Sequence, residues 1–364
     1  MGTDRIIYIR TDGNRSLAAG HLVRCLSIAD ACYSLGMEIH FLVSDEESRS
    51  LLLTLLTDVP LNPVIQILKT AVYNDLEREI PEMISLLSNN DTCVTYDRPI
   101  LLLDSYYITE KYLNTVGNFA KTAYIDDLQL FDYPVDLLIN YDIAPDSLLP
   151  CHPKAKKVLL GVSYTPLRRQ FTDTDYIFRE QVSHILVTTG SSDPYHFCLK
   201  LAEFLIERIP QLLPKSSCGD TLHLEIVIGR LNTDKDALLT LAEHFPFITL
   251  HKNVSDMASL MKNCDLAVSA AGTTLYELCA IGVPTVSFTM ADNQLTAAKA
   301  FSDAGMIPCA GDIRTSCLKV LHDVTDFITD MEENMDKRKS AHECMNRFVD
   351  GKGSMRIAKE LSVL

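Results

Sequence analysis

The chain has 364 residues, of which 47% are hydrophobic and 22% charged, and its formal net charge is −15 at pH 7. This length favours two domains, each large enough to bury a core. The negative charge argues against nucleic acid as a partner, and the lack of an apolar run of about 18 residues argues against stable membrane insertion.

The amino terminus and the cysteines favour a cytoplasmic protein. The segment MGTDRIIYIR places charges at Asp4 and Arg5 and continues as a strand, which is not the pattern of a signal peptide. The 11 cysteines include no C-x-x-C pair and suggest neither a disulfide framework nor a zinc site. We expect a reducing compartment and a monomer or weak oligomer.

Apolar strand-like runs alternate with helical patterns through the first half. The strand candidates are RIIYIR, EIHFLV, VIQIL, ILLLD, TAYID and DLLIN, and the helical candidates are 20–36, 45–57, 74–88 and 109–120. In the first helix, one apolar stripe is formed by Leu22, Cys25, Leu26, Ala29 and Tyr33. Gly36 suits the end of that helix. The alternation predicts a parallel sheet with helical crossovers.

The segment AAGHLVRC joins the first strand to the first helix and contains Gly20, His21 and Arg24. The dipole at a helix N-terminus disfavours an imidazolium, and a neutral imidazole can take a proton from water as a general base. The alternative is a partly exposed capping histidine. We expect His21 to be the base and Gly20 and Arg24 to contact the substrate.

Polar residues also follow two later strands of this half. Tyr106, in the segment DSYY after ILLL, could hydrogen-bond a sugar or the attacking water, or simply cover the strand end as a rim aromatic. Asp126 and Asp127 are paired carboxylates that could suggest a divalent metal. Because no third acidic residue lies at a suitable spacing, caps at the strand end are the better interpretation.

Prolines at 145, 150, 153 and 166 interrupt the pattern over residues 140–175, which we interpret as a linker. The alternation then resumes with HILVTTG, HLEIVIG, FITLH, DLAVS and PTVSFT. We therefore predict two doubly wound, Rossmann-like α/β domains, at residues 1–165 and 166–364, with the ligand in an interdomain cleft.

Three loops of the second half suit a nucleotide sugar. Gly190, Ser191 and Ser192 follow a strand, with Asp193 and Pro194 suited to the start of a helix, so backbone amides there could meet an anion. An ordinary capped turn is the alternative.

The second of these loops contains small residues before a helix. Ala271 and Gly272 allow close approach of a ligand, and Thr273 and Thr274 open a helix that could face a pyrophosphate. Glu277 could accept hydrogen bonds from the hydroxyls of a ribose, or it could only complement the helix dipole.

The third loop contains Asp292, Asn293 and Gln294 after the next strand. These polar side chains should emerge at the same sheet edge and could line a sugar site, and a helix cap with polar neighbours is the alternative. The placement of all three loops after consecutive strands favours a joint site.

Taken together, motifs along nearly the whole chain resemble the UDP-sugar hydrolases of pseudaminic acid biosynthesis, the PseG family. The block at 253–294 also looks like the donor-binding half of the murein glycosyltransferase MurG, which has the two-domain GT-B fold. The motifs are IRTDGN, AAGHLVRC, LLLDSYYIT, YIDDL, DLLIN, LLGVSYTPLRRQF, TTGSSDP, NVSDMASLMKNCDLAVSAAGTTLYELCAIGVPTVSFTMADNQ and DGKGSMRIA.

The resemblance implies hydrolysis of UDP-2,4-diacetamido-2,4,6-trideoxy-β-L-altrose to the free sugar and UDP, with inversion and with neither metal nor cofactor. His21 matches the family's catalytic histidine, and Tyr106 and Asn293 match residues of the sugar site. The backbone around Val254 would read the uracil, and Glu277 would hold the ribose. The pyrophosphate would lie near Ser191, Ser192, Gly272, Thr273 and Thr274.

Three motifs depart from the family's pattern. The family's I-G-T-G-H is Leu17-Ala18-Ala19-Gly20-His21, its G-G-S-D-P begins at Gly190 as GSSDP, and its D-H-Y is Asp104-Ser105-Tyr106. The departures bear on the identity of the sugar more than on the class of donor. Two other functions stay open: a glycosyltransferase on the same scaffold, and a non-catalytic nucleotide-sugar sensor.

Overall fold

The computed structural model describes residues 5–15, 17, 19–57, 59–88, 98–143, 154–172, 175–208 and 222–364. The chain forms two compact units. The first unit comprises Met1–Arg169 and Gly351–Leu364, and the second comprises Gln170–Asp350. Each unit is an α/β body built on its own parallel sheet, which confirms the predicted fold class.

A parallel sheet forms the centre of the first unit. Its strands are β1 (Ile6–Thr11), β2 (Glu38–Val43), β3 (Val64–Ile67), β4 (Ile100–Asp104), β5 (Lys121–Ile125), β6 (Leu137–Asn140) and β7 (Lys157–Leu160). Their order across the sheet is β3-β2-β1-β4-β5-β6-β7. Every residue of β4 is buried, as expected for a strand covered on both faces of a parallel sheet.

Helices connect these strands close to their predicted positions. They are α1 (Gly20–Ser34), α2 (Glu46–Leu56), α3 (Ile80–Ser88), which follows a 3-10 turn at Leu76–Glu79, and α4 (Glu110–Val116). The stripe of α1 is buried except at Tyr33 in the last turn, which is 52% exposed, so the buried stripe ends earlier than predicted. Gly36 has φ +83° just beyond the helix, which confirms its role in ending α1.

The segment predicted to be a linker contains a strand. Residues Lys157–Leu160 form β7 and pair with β6, with Leu138 opposite Val158. The strand is short and begins with an exposed lysine, so its apolar signal is weak beside the surrounding prolines. Pro166 lies in the described residues after β7, whereas Pro145, Pro150 and Pro153 lie outside them.

The second unit repeats the winding of the first. Its strands are β8 (His184–Thr188), β9 (His223–Ile228), β10 (Ile248–Lys252), β11 (Leu266–Ala270), β12 (Thr285–Thr289) and β13 (Cys309–Asp312), ordered β10-β9-β8-β11-β12-β13. β13 has the sequence CAGD and was not predicted because it has no apolar run. The core between sheet and helices includes Phe197 and Phe288, whose ring centroids are 3.9 Å apart.

The helices of the second unit follow the order of its strands. They are α5 (Phe197–Ile206), α6 (Lys235–His244), α7 (Met257–Lys262), α8 (Thr274–Ile281), α9 (Leu295–Asp303), α10 (Ile313–Glu333) and α11 (Met335–Phe348). None of the helices in the described part of the chain combines the length and hydropathy that a membrane-spanning segment requires.

The last helix, α12 (Gly353–Leu361), belongs to the first unit, whereas we expected residues 166–364 to form one domain. Its apolar face buries Ile357, Ala358 and Leu361, and the helix packs on α1. Arg5 also donates a hydrogen bond of 2.8 Å to the carbonyl of Ser362. Sequence order alone does not reveal this return of the chain, because it depends on a tertiary contact.

Candidate active site

The carboxyl ends of β1 and β4 lie side by side in the first unit. Thr11 pairs with Asp104 in the register of these strands. The strand order reverses here, because β2 and β3 lie on the side of β1 and the later strands lie on the side of β4. Parallel α/β sheets form their ligand sites at such a reversal. The loop after β1 leads into α1, so residues of the first turns of α1 meet the end of β4.

His21 and Asp104 form a hydrogen-bonded pair at this position. The Nδ1 atom of His21 is 2.6 Å from Oδ1 of Asp104, and both side chains are buried. Burial would raise the pKa of Asp104, but the Arg24 guanidinium and the His21 ring outweigh burial and hold the pKa of that carboxyl well below its usual range. An ionised carboxylate can only accept, so Nδ1 of His21 carries the shared proton.

This arrangement leaves the Nε2 atom of His21 to act as an acceptor. Nε2 has no hydrogen-bond partner among the described residues. A few buried side-chain nitrogen and oxygen atoms are both unpaired and shielded from solvent. Nε2 is not one of them, so it keeps contact with solvent. We considered that His21 could be a partly exposed capping residue. Instead its ring is 4% exposed and hydrogen-bonded through its side chain.

Tyr106 covers the His21 ring. The two ring centroids are 4.4 Å apart at 74°, an edge-on contact, and Tyr106 is 39% exposed. The hydroxyl of Tyr124 donates to the carbonyl of Ser105, which fixes the segment before Tyr106. Burial, aided by the charge of Asp127, raises the pKa of Tyr106 to about 12, so its phenol is a hydrogen-bond donor at neutral pH.

The expected substrate ligand Arg24 makes its described hydrogen bonds to protein groups. Its Nε donates to Oδ2 of Asp104 at 2.6 Å, and one terminal nitrogen donates to Asp127 and to the Tyr141 hydroxyl, each at 2.8 Å. The other terminal nitrogen lies 2.5 Å from Oδ1 of Asp104. In this arrangement Arg24 holds Asp104 ionised and in place beside His21.

Sequence reasoning placed Asp104 at a strand end facing the same cleft as His21 but gave it no role, and it did not identify Asp127 or Tyr141 as parts of the site. Asp126 is the strand-end cap we expected, since its Oδ1 accepts from the N–H groups of Leu128 and Gln129. Asp127, which we gave the same role, binds Arg24 instead. The only signal in the sequence was the position of these carboxylates at strand ends.

A buried ion-pair network anchors the loop between β1 and α1. Arg10 donates to Glu79 and, at 2.6 Å, to Oδ2 of Asp12. The other oxygen of Asp12 accepts from the Ser44 N–H at 2.6 Å. These contacts tie the loop that precedes His21 to the rest of the unit. Ala18, where the motif departs from its family pattern, lies outside the described residues.

Gly20, the first residue of α1, is exposed, and a Cβ added there would meet no heavy atom within 4 Å. The protein therefore leaves open space beside His21. No contact with the described residues demands a glycine at this position.

In the second unit, the loops after β8 and β11 are neighbours. Thr188 pairs with Ser269, and the order of the strands reverses between them. Gly190 has φ +81°, which favours glycine, and Ser191 is exposed beside partly buried Ser192. The helix begins at Phe197 rather than at Pro194, but Asp193 still caps it by accepting from the N–H groups of Phe197 and Cys198.

The loop after β11 leads into α8 as predicted. Thr273 is the N-cap residue, Ala271 is buried, and Glu277 lies in the first turn. Within the described part of the chain, no group accepts a hydrogen bond from the backbone amides of Thr273 and Thr274. The helix therefore begins with donors that are available to an anion.

Asp292, Asn293 and Gln294 form a 3-10 turn after β12, beside the loop after β11. Asp292 accepts from Arg314 at 2.7 Å, and Oε1 of Gln294 accepts from the Met290 N–H at 2.9 Å. Asn293 is exposed. Its two neighbours therefore hold the turn through their side chains.

The segment around Val254 has an unusual backbone. Asn253 has φ +50°, a left-handed conformation that asparagine tolerates better than most residues. Gln170 fixes the next residues, since it donates to the carbonyl of Ser255 and accepts from the N–H of Ala258. The backbone N–H and C=O of Val254 make no hydrogen bond to the described residues.

Gly229 supports the loop after β8, and we expect alanine there to displace that loop. A Cβ on Gly229 would lie 2.2 Å from the carbonyl oxygen of Gly190 and 2.4 Å from that of Ser191. Overpacking of this kind costs about 1–3 kcal/mol. Thermal unfolding of Gly229→Ala should show this loss, and the control Gly272→Ala, which meets no atom within 4 Å, should not. Equal melting temperatures of Gly229→Ala and wild type would show that Gly229 does not support this loop.

Neither unit contains, in its described residues, a cluster of three or more His, Cys, Asp or Glu side chains arranged to hold a metal ion.

The chain is similar in sequence to several known proteins. Over 190 residues the chain is 28% identical to the spore coat polysaccharide biosynthesis protein SpsG of Bacillus subtilis, covering 52% of this chain and 53% of that protein. A Helicobacter pylori protein is named pseudaminic acid cytidylyltransferase and UDP-2,4-diacetamido-2,4,6-trideoxy-beta-L-altropyranose hydrolase. The chain is 23% identical to it over 244 residues, which cover 65% of this chain and 41% of that protein. The chain spans about half the length of the curated relatives it matches.

The fold has solved counterparts. The crystal structure of MurG from Acinetobacter baumannii superposes with a TM-score of 0.65 and 15% identity, covering 99% of this chain and 100% of that one. Residues 184–355 match the model of the glycosyltransferase family 28 C-terminal domain. The protein therefore has the two-domain GT-B fold, and its second unit carries a domain similar to the C-terminal domain of family 28 glycosyltransferases.

Proposed function

We propose that this protein hydrolyses a UDP-linked 2,4-diacetamido-2,4,6-trideoxy sugar to the free sugar and UDP, as a step of pseudaminic acid biosynthesis. The observation that carries the proposal is the contact of 2.6 Å between His21 Nδ1 and the ionised Asp104, which leaves Nε2 as a base. The relative from Helicobacter pylori, whose name includes such a hydrolase, supports the choice of sugar.

The proposed reaction needs one base and a good leaving group. Water attacks the anomeric carbon from the face opposite UDP and forms the new C–O bond with inversion. Its proton passes to Nε2 of His21, and the bond between the anomeric carbon and the phosphate oxygen breaks with its electron pair leaving on UDP. The carboxylate of Asp104 stabilises the imidazolium that forms, in the way an aspartate supports the histidine of a catalytic triad.

The loops of the second unit have the donors that the leaving group requires. We assign the pyrophosphate to the amides of Ser191, Ser192, Thr273 and Thr274, because preorganised amides stabilise charge that develops on the leaving oxygen. Gly272, whose own N–H donates to the carbonyl of Ala270, would let the diphosphate approach the backbone closely. Glu277 would hold the ribose hydroxyls, and the backbone at Val254 would read the uracil. Asn293 and Tyr106 would contact the sugar.

Replacing Gly272 with alanine separates binding from folding. The added methyl group has room in the protein and the residue has no positive φ, so the free energy of unfolding should stay within about 0.5 kcal/mol of wild type. If a diphosphate packs against this backbone, the methyl group occupies its place, and the affinity for UDP measured by calorimetry should fall at least about tenfold. Unchanged affinity would contradict the assignment.

Hydrolysis is tested directly by UDP release. Purified protein is incubated with the UDP-diacetamido sugar and a chelator, without an acceptor, and products are followed by phosphorus and proton NMR. We expect stoichiometric UDP and a free sugar of inverted anomeric configuration in the first turnovers. No release from this sugar would overturn the proposal.

A glycosyltransferase is the second candidate, favoured by the match to the family 28 C-terminal domain and by the GT-B fold. The same histidine would then take a proton from an acceptor hydroxyl in place of water. Turnover that begins only when a sugar or lipid acceptor is added would establish this function.

A further inference from the structure

The 3-10 turn at Asp292–Gln294 carries Asn293, which the proposed function places in contact with the sugar. Two hydrogen bonds hold the turn from within. The N–H of Gln294 donates to the carbonyl of Ala291 at 3.1 Å, and Oε1 of Gln294 accepts from the N–H of Met290 at 2.9 Å. Because both bonds join residues of the same loop, they shape the turn without tying it to a neighbouring element.

Arg314 joins this turn to the next strand and helix. Its Nη1 donates to Oδ1 of Asp292 at 2.7 Å, and its Nε and Nη2 donate to the two carboxylate oxygens of Asp312 at 3.0 and 2.7 Å. No other group in the described residues donates to the carboxylate of Asp292. The side chain of Asp292 is 88% exposed, so without Arg314 it would be solvated rather than held in one place.

Asp312 fixes the other end of this link. It is the last residue of β13 and the N-cap of α10, and its Oδ1 accepts from the backbone N–H of Arg314 at 2.9 Å. Thr289, the last residue of β12, lies opposite Asp312 in the register of the two strands. Hydrogen bonds from Arg314 lower the pKa of Asp312, so its carboxylate is ionised at neutral pH. The guanidinium is therefore held at the edge of the sheet, and its remaining nitrogen reaches the turn.

We propose that Arg314 is a positioning residue, which places the amide of Asn293 against the sugar of the substrate by holding Asp292. This inference rests on the proposed hydrolysis of a UDP-diacetamido sugar. Isolated surface ion pairs contribute little to stability, but an arginine that binds one carboxylate through two nitrogens and a second carboxylate through the third has a defined geometry. Lysine is not equivalent, because its single ammonium nitrogen cannot span Asp312 and Asp292 in this way.

The test compares Arg314→Ala, Arg314→Lys and Asp292→Ala with wild type, using UDP-2,4-diacetamido-2,4,6-trideoxy-β-L-altrose as substrate. We expect kcat/KM to fall about 10-fold in both alanine variants, because each removes the same link, and to fall less in the lysine variant. The affinity for UDP, measured by calorimetry, should be unchanged, because UDP lacks the sugar. The melting temperature should fall by less than about 2 °C, since the ion pair between Arg314 and Asp292 is exposed.

Double variants separate positioning from a purely structural role. If Arg314 acts through the turn, adding Arg314→Ala to Asp292→Ala or to Asn293→Ala should lower kcat/KM by less than about twofold further. A second loss of about tenfold in either background would contradict the positioning role. Lys319→Ala is the matched control, since it removes the cation of another exposed ion pair on α10 and should leave kcat and KM unchanged.

The outcomes distinguish this inference from the proposed function. An active wild type and a folded Arg314→Ala with the same kcat/KM would overturn this inference alone. If Arg314→Ala does not fold, an Asp292→Ala protein with the kcat/KM of wild type would overturn it, because removing so exposed a side chain should not prevent folding. A wild type that releases no UDP overturns the proposed function and this inference with it.

Discussion

Replacing His21 with asparagine should lower kcat about 10²- to 10⁴-fold while leaving UDP affinity unchanged. Asparagine can still occupy the position beside Asp104, but it has no basic nitrogen to take the proton of the attacking water. The proposed UDP ligands all lie in the second unit, so their geometry should not depend on this side chain. Single-turnover kinetics with the UDP-diacetamido sugar measures the loss, and calorimetry with UDP measures the affinity.

His40→Asn is the control for this variant. His40 lies on β2 of the same unit and bonds to Glu38, apart from the proposed machinery, so its loss should leave kcat unchanged. A His21 variant with wild-type kcat would rule out the general-base role. A wild type that binds UDP-sugar without turning it over, and a His21 variant that binds equally well, would support a nucleotide-sugar sensor.

Asp104→Asn should cost both activity and stability. Oδ1 of Asp104 accepts hydrogen bonds from His21 Nδ1 and from a terminal nitrogen of Arg24. Oδ2 accepts hydrogen bonds from Nε of Arg24 and from the Cys25 thiol. The NH₂ group of asparagine would replace one of these two acceptor oxygens. In either orientation of the amide, this NH₂ group would face at least one of the donors. Breaking a buried pair by removing one charge costs about 3–5 kcal/mol, and the wrong tautomer of His21 removes the base. Denaturant unfolding and kcat measure the two effects.

The loss of stability in Asp104→Asn should become smaller as the pH falls. The pKa of Asp104 is depressed in the folded protein, so its contribution is fully present above the ordinary pKa of about 4 and is lost as pH falls through the folded value. The difference between wild type and Asp104→Asn should be constant above about pH 5 and shrink below about pH 4. Glu46→Gln, at an exposed ion pair, should differ from wild type by less than about 0.5 kcal/mol.

Much of the secondary structure could be predicted from hydrophobic pattern. The run ILLLD corresponds to β4, and EIHFLV to β2, because buried parallel strands need continuous apolar residues. Residues 157–160 and 309–312 were missed, since edge strands of four residues carry too little apolar signal. We predicted domains at 1–165 and 166–364, whereas the first unit comprises Met1–Arg169 and Gly351–Leu364, which includes α12.

The site was predicted only in part. His21 stood out because a glycine and a histidine opened a helix after a strand, and Tyr106 because it followed a strand end. The partners of His21 could not be read from the sequence in the same way. Asp104 lies 83 residues from His21 and was placed at a strand end without a role. Asp127, which binds Arg24 rather than His21, lies 103 residues from Arg24 and was assigned to capping.

What the sequence determined by itself was local: where apolar runs become strands, which helices follow them, and which loops carry glycine, histidine and small polar residues. These features depend on neighbours within a few residues. The tertiary structure decided which of those loops meet. Strand order placed β4 beside β1, so Asp104 reached His21 and Arg24. Because charges act through space, this strand order also decided that Asp104 is ionised and that Nδ1 of His21 carries a proton.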